Sequence, residues 1–133
     1  MEQIVIQAET TVNPTETEEK VKAAVNNLFG NLTFTSQPAG KQTLLTATAT
    51  GQDSLIKFRN LLRSDRIRDA SRKFLFKKIR GNTISFCLNK QVANAGHVSF
   101  CEENAESPLG PIKVTVTSEA PRQLIEWLAQ KST

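Results

Sequence analysis

Residues 81–88 read Gly81-Asn82-Thr83-Ile84-Ser85-Phe86-Cys87-Leu88. A helix-stop pair leads directly into alternation, with Ile84, Phe86 and Leu88 on one face. Period two is the signature of a strand buried on one side only, and such strands belong to an antiparallel sheet with one covered face. The same pattern recurs at His97–Glu102, where Val98 and Phe100 point inward, and again in Ile112, Val114 and Val116. At the other end of the chain, residues 3–12 alternate Ile4, Ile6, Ala8, Thr10 and Val12. Thr43–Thr50 and the shorter Leu32–Ser36 are further strand candidates, separated by the turn chemistry of Gln37-Pro38-Ala39-Gly40.

Between these strands the period changes. Val21, Val25 and Leu28 recur at helical spacing. Thr15 is placed to cap that helix with Glu18 three residues on, and Gly30 to end it in the left-handed conformation. Asp53 reads as the cap of a second helix with Leu55, Phe58 and Leu62 inward. Ser64-Asp65 signals a break, after which a helix over 66–79 turns Ile67, Ala70, Phe74 and Ile79 inward. Residues 89–96 read as a connection and 103–111 as a loop. Pro121 opens a last helix buried through Leu124, Ile125 and Leu128, with Trp127 at its edge. The order is βαββααβββα, an α+β fold in which helices cover one face of an antiparallel meander.

The whole chain, 1–133, reads as a single domain, with no repeat or linker to divide it. Hydrophobic residues make up 38% and charged residues 23%, enough for a core without a disulfide or metal staple. No apolar run approaches the ~20 residues of a membrane span. The alternating start lacks the basic region of a signal peptide, so a cytoplasmic setting is expected. Cys87 and Cys101 are not a CxxC pair, and with the one histidine, His97, they cannot make a four-ligand zinc site. They read as small apolar fillers in or beside strands. A bridge between neighbouring strands stays open, although an intracellular setting disfavours it.

Charge is concentrated. Residues 57–80 carry ten basic side chains against Asp65 and Asp69, while the rest of the chain is net acidic. Arg59, Arg63, Arg66, Lys73, Lys77 and Arg80 step by 4, 3, 7, 4 and 3 residues. On one uninterrupted helix that is a single stripe, about 30 Å long at ~1.5 Å per residue. Six spread cations exceed what one phosphate can use, so the pattern suits a polyanion. A solvated helix face produces the same pattern. The candidate nucleic-acid-binding set is Arg59, Arg63, Arg66, Arg72, Lys73, Lys77 and Arg80, with Lys41 and Lys90 as flankers. With seven Phe, one Trp and no Tyr, and most Phe on inward positions, recognition is expected through backbone and shape, as for structured RNA.

No catalytic constellation stands out. The phosphate-loop, dinucleotide, nucleophile-elbow and zinc-protease motifs are absent, and no catalytic residue, metal ligand or cofactor is assigned. Glu102, Glu103 and Glu106 form an acidic cluster that lacks the glycine-centred pattern of a calcium loop.

Several blocks occur together in a familiar order: Asn13-Pro14-Thr15-Glu16, Arg66-Ile67-Arg68-Asp69-Ala70-Ser71-Arg72-Lys73, Gly81 to Phe86, Leu88-Asn89-Lys90-Gln91, Val98-Ser99-Phe100, Ser107-Pro108-Leu109-Gly110-Pro111-Ile112, and Ile125-Glu126-Trp127-Leu128-Ala129. The set resembles the archaeal uncharacterised protein family 0201, also described as domain of unknown function 54 and as predicted RNA-binding, exosome-associated proteins. Arg68 and Ser71 depart from the Leu and Ala of the family's helix block. The resemblance implies an α+β fold similar to large-subunit ribosomal protein five, and supplies no catalytic residues. The expected function is a non-enzymatic RNA-binding module. The alternative is an interaction module whose basic helices pair with an acidic protein surface, or with the acidic 102–106 segment of a second copy in a homodimer.

Overall fold

The structure, a computed structural model, describes residues 3–101 and 110–130. The Glu102, Glu103 and Glu106 cluster and the Ser107–Leu109 part of the loop lie outside the described residues. The chain runs β1 (Val5–Val12), α1 (Glu18–Asn26), β2 (Thr33–Ala39), β3 (Gln42–Thr50), a single 3-10 turn (Gln52–Leu55), α2 (Ile56–Ser64), α3 (Arg68–Lys77), β4 (Ile79–Arg80), β5 (Thr83–Asn89), α4 (Lys90–Asn94), β6 (Phe100–Cys101), β7 (Pro111–Thr117) and α5 (Pro121–Leu128).

Every strand pairing is antiparallel, and the path across the sheet is β2-β3-β1-β7-β5-β4. The α+β architecture is as the sequence predicts, with two refinements. β1 sits in the middle, between β3 and β7. β6 pairs with β5 on the edge away from β7, so β6 and β7 flank β5 and the last three strands do not follow one another across the sheet.

The alternations settle which face is covered. Ile6, Ala8, Ala47, Ile84, Phe86, Leu88, Ile112, Val114 and Val116 are buried together with Val25 and Leu28 from the α1 region, Phe58 and Leu62 of α2, Leu75 of α3, and Leu124, Ile125 and Leu128 of α5. All the helices therefore cover one face. On the other face, register aligns Ser85, Thr115, Gln7, Thr48 and Thr33 across five strands, a polar row suited to water.

Local chemistry moves several boundaries. The cap of α1 is Thr17, not Thr15: its hydroxyl accepts from Lys20 N at 3.3 Å. Replacing Thr17 with Ala should lower stability by about 1 kcal/mol in a denaturant titration. Asn31, at φ 57°, takes the left-handed position expected of Gly30. Asp53 makes no cap bond, because the turn opens at Gly51, and its carboxylate instead accepts from Asn31 Nδ2 at 3.3 Å. The stretch 89–96 is not a plain connection. Asn89 caps the five-residue α4 by accepting from Val92 N at 3.0 Å.

Candidate nucleic-acid interface

The expected break between α2 and α3 is real, and it decides where the basic side chains go. Arg66 adopts φ 58°, a left-handed conformation that L-residues other than Gly, Asn and Asp rarely take. Asp65 is held at the same corner, with its carboxylate accepting Val98 N at 3.0 Å and meeting His97 Nδ1 at 2.9 Å. The corner is thus pinned to the chain just before β6. Helical phase restarts at Arg68, so the 59–63 row and the 73–77 row are not one stripe.

The structure divides the candidate residues into groups. Arg59 faces α5: its Nε donates to Trp127 O at 2.9 Å, and its guanidinium lies 5.2 Å from the centre of the Trp127 ring. Arg59, Arg63 and Arg68 surround a small hollow with Trp127, Leu128 and Gln130. Three guanidiniums therefore gather where α5 ends, the negative pole of that helix. Arg68 is the member that sequence spacing misses. It lines the same hollow as Arg63 from the far side of the corner at the left-handed Arg66.

Arg72 is engaged elsewhere. It forms a two-pronged ion pair with Glu126 of α5 and lies 5.0 Å from the centre of the Phe76 ring. Arg122 of α5 sits at the same distance, 5.0 Å, from that ring. Phe76, off the inward stripe, thus lies against two cations. The hydrogen bond to Glu126 raises the Arg72 pKa further, and the same bond lowers the Glu126 carboxyl below its ordinary value. A carboxyl lowered in the folded state contributes stability above the ordinary carboxylate range and loses it as pH falls through the lowered value. Arg80 turns back on its own strand, donating to Lys77 O at 3.1 Å and Ile79 O at 2.8 Å. Lys57 and Lys78, outside the candidate set, are also occupied: one donates to Asn26 O at 2.9 Å, and the other lies 5.1 Å from the Phe74 ring.

Arg63, Arg66, Lys73 and Lys77 remain. All four are exposed, and among the described residues none forms an ion pair. Lys73 and Lys77 stand one turn apart on the side of α3 opposite the buried Leu75. The two flankers fall away from this group. Lys41 is exposed at the β2–β3 hairpin, across the sheet. Lys90 is only 3% exposed, its ammonium bonded to Thr11 O at 2.6 Å and Glu16 Oε1 at 3.1 Å. Glu16 Oε1 also accepts Asn13 N at 3.0 Å. The Asn13–Glu16 and Leu88–Gln91 blocks therefore meet as a buried clamp beneath a cleft of about 360 Å³ between α1 and α4.

Among the described residues no three His, Cys, Asp or Glu side chains are grouped to hold a metal, and no helix is long and apolar enough to cross a membrane. A family model described as RNA binding matches residues 5–118. A UPF0201 protein of Sulfurisphaera tokodaii is 45% identical over 132 residues, covering 99% of this chain and 90% of its own length. One from Sulfolobus acidocaldarius is 44% identical over 124 residues, covering 93% and 86%. The crystal structure of the UPF0201 protein from Methanococcus jannaschii superposes with a TM-score of 0.82 at 29% identity, over 94% of this chain and 98% of that one. The match across the whole sheet and its helices, in sequence and in shape, places the chain in the UPF0201 (DUF54) family, whose model carries the description RNA binding.

Proposed function

We propose that the protein binds structured RNA, without catalysing a reaction on it, through the basic surface of the α2–α3 corner and the adjoining end of α5. The observation that carries this reading is the set of exposed cations, Arg63, Arg66, Lys73 and Lys77, with no carboxylate partner among the described residues. Arg72 has its charge met by Glu126 across the α3–α5 seam, whereas these four have no such partner among the described residues. Cations left unpaired in a concentrated field keep their attraction for phosphates. The family description points the same way. Arg59 and Arg68 add guanidiniums beside Arg63 at the end of α5, while Arg72 is occupied by Glu126 and Arg80 by its own strand.

Ultraviolet crosslinking of the protein to RNA in cell extract, followed by mapping of the modified peptides, tests the placement. Crosslinks should fall in 59–77 and at the end of α5. Crosslinks confined to the polar outer face of the sheet would overturn it. The Arg72–Glu126 pair supplies a finer check. Glu126→Gln removes the carboxylate that occupies Arg72, so RNA binding should tighten a few-fold and the salt dependence should steepen by about one charge. An unchanged slope would mean that Arg72 lies outside the RNA footprint.

A further inference from the structure

We propose that Cys87 and Cys101 are a reversible cross-strand disulfide site, closed by exchange with a low-molecular-weight disulfide. The two residues are direct partners in the β5–β6 register, and both are thiols in this structure. Asn89 N donates to Ser99 O at 2.9 Å, which continues the same register one step beyond Leu88 and Phe100. Direct antiparallel partners have Cα atoms about 4.5–5.5 Å apart and side chains on the same face. A disulfide needs about 4.4–6.8 Å between Cα atoms. The Cα separation of such a pair lies within that range, so the bond closes once the two Cβ atoms draw together from the about 4.5–5.5 Å of a direct pair to the about 3.5–4.5 Å of a disulfide. Leu88 and Phe100 alternate to the core face, so the sulfurs share the other face of the sheet.

Burial gives the order of events. Cys101 is half-buried, whereas Cys87 is 7% exposed, so Cys101 is the more accessible of the two. The Cys101 thiolate attacks one sulfur of the small disulfide and expels the other as a thiolate, leaving a mixed disulfide. The Cys87 thiolate then attacks the Cys101 sulfur and expels the second small thiolate. Two protein thiols are oxidised to one disulfide, and one small disulfide is reduced to two thiols. Cys101 as entry point and Cys87 as resolving partner follow from accessibility alone.

The bond acts where the sheet is least secured. β6 has only two residues, held to β5 by two pairs. Phe100 reaches from it into the aromatic cluster, 4.6 Å from Phe74 of α3 and 5.7 Å from Phe86, centre to centre. A bridge at Cys101 therefore fixes the strand that supports α3, and it closes a short loop over residues 88–100.

The test is to equilibrate the native protein with mixtures of oxidised and reduced glutathione, then trap thiols by alkylation and read the intact mass and a peptide map. The expected result is one species lacking both thiols, with a linked Cys87–Cys101 peptide and a thermal midpoint higher by roughly 10 °C. Reduction should reverse both changes. Cys101→Ser should leave Cys87 unmodified under the same conditions, and Cys87→Ser should stop at the mixed disulfide on Cys101. Two titratable thiols after full equilibration, a mixed disulfide that persists in the unsubstituted protein, or linkage between chains would each overturn the proposal.

Discussion

Reversing Arg63, Arg66, Lys73 and Lys77 to Glu together should lower the affinity for structured RNA by roughly 100-fold or more near 0.1 M salt, because it removes four counterion-releasing contacts and adds four repulsive charges. The fold should survive. All four side chains are exposed and none is tied to a described carboxylate, so no buried group is orphaned. Circular dichroism and the thermal midpoint check that half of the prediction, and fluorescence anisotropy with a labelled RNA hairpin checks the other. The contrast with Arg72 is informative. Reversing Arg72 would set a carboxylate against Glu126 and beneath the Phe76 ring, disturbing the α3–α5 seam. A variant set that included it would confuse loss of fold with loss of binding. If the fourfold variant keeps its RNA affinity but loses self-association or capture of an acidic protein, the interaction-module reading takes over.

The largest loss of stability is expected from Phe58→Ala. Phe58 is fully buried at the centre of the aromatic cluster. Its ring stacks on Phe29 at 5.3 Å and Phe86 at 5.8 Å, and it meets the edge of Phe100 at 6.4 Å. Truncation leaves a cavity bounded by α2, the sheet and the end of the α1 segment. The rigid rings around it cannot collapse to fill the space. Such truncations cost about 3–5 kcal/mol. The thermal midpoint should therefore fall by roughly 10–20 °C. Leu62, one turn further along α2, belongs to the same buried stripe, so a similar loss there would be unsurprising. A loss below about 1 kcal/mol at Phe58 would mean that the cluster is not the keystone of the core.

The long alternating segments were legible because burial on one face imposes period two over many residues. β1, β5 and β7 carry that imprint in Ile4 to Val12, Ile84 to Leu88 and Ile112 to Val116. Ser64-Asp65 was likewise a true sign of the α2–α3 corner. What escaped was too short for any period. β4 has two residues and α4 has five. The cap at Asn89 was the one local trace of α4, and it reads equally as the end of a strand. In the basic region, spacing identifies residues on a helix but not what stands opposite them. Arg72 and Glu126 are 54 residues apart, and nothing local announces their pairing. The left-handed Arg66 breaks helical phase, which splits the supposed stripe, and Arg68 lines the same hollow as Arg63. Lys90 carried no sign of burial either, since its partners Thr11 and Glu16 come from the first quarter of the chain.

The salt dependence of RNA binding tests the central claim most directly. Neutralising about five phosphates should give a slope of roughly −3.5 to −4.5 in log affinity against log salt concentration. The fourfold Glu variant should flatten that slope towards zero. A slope near zero in the unsubstituted protein, or equal slopes in the two proteins, would contradict the account.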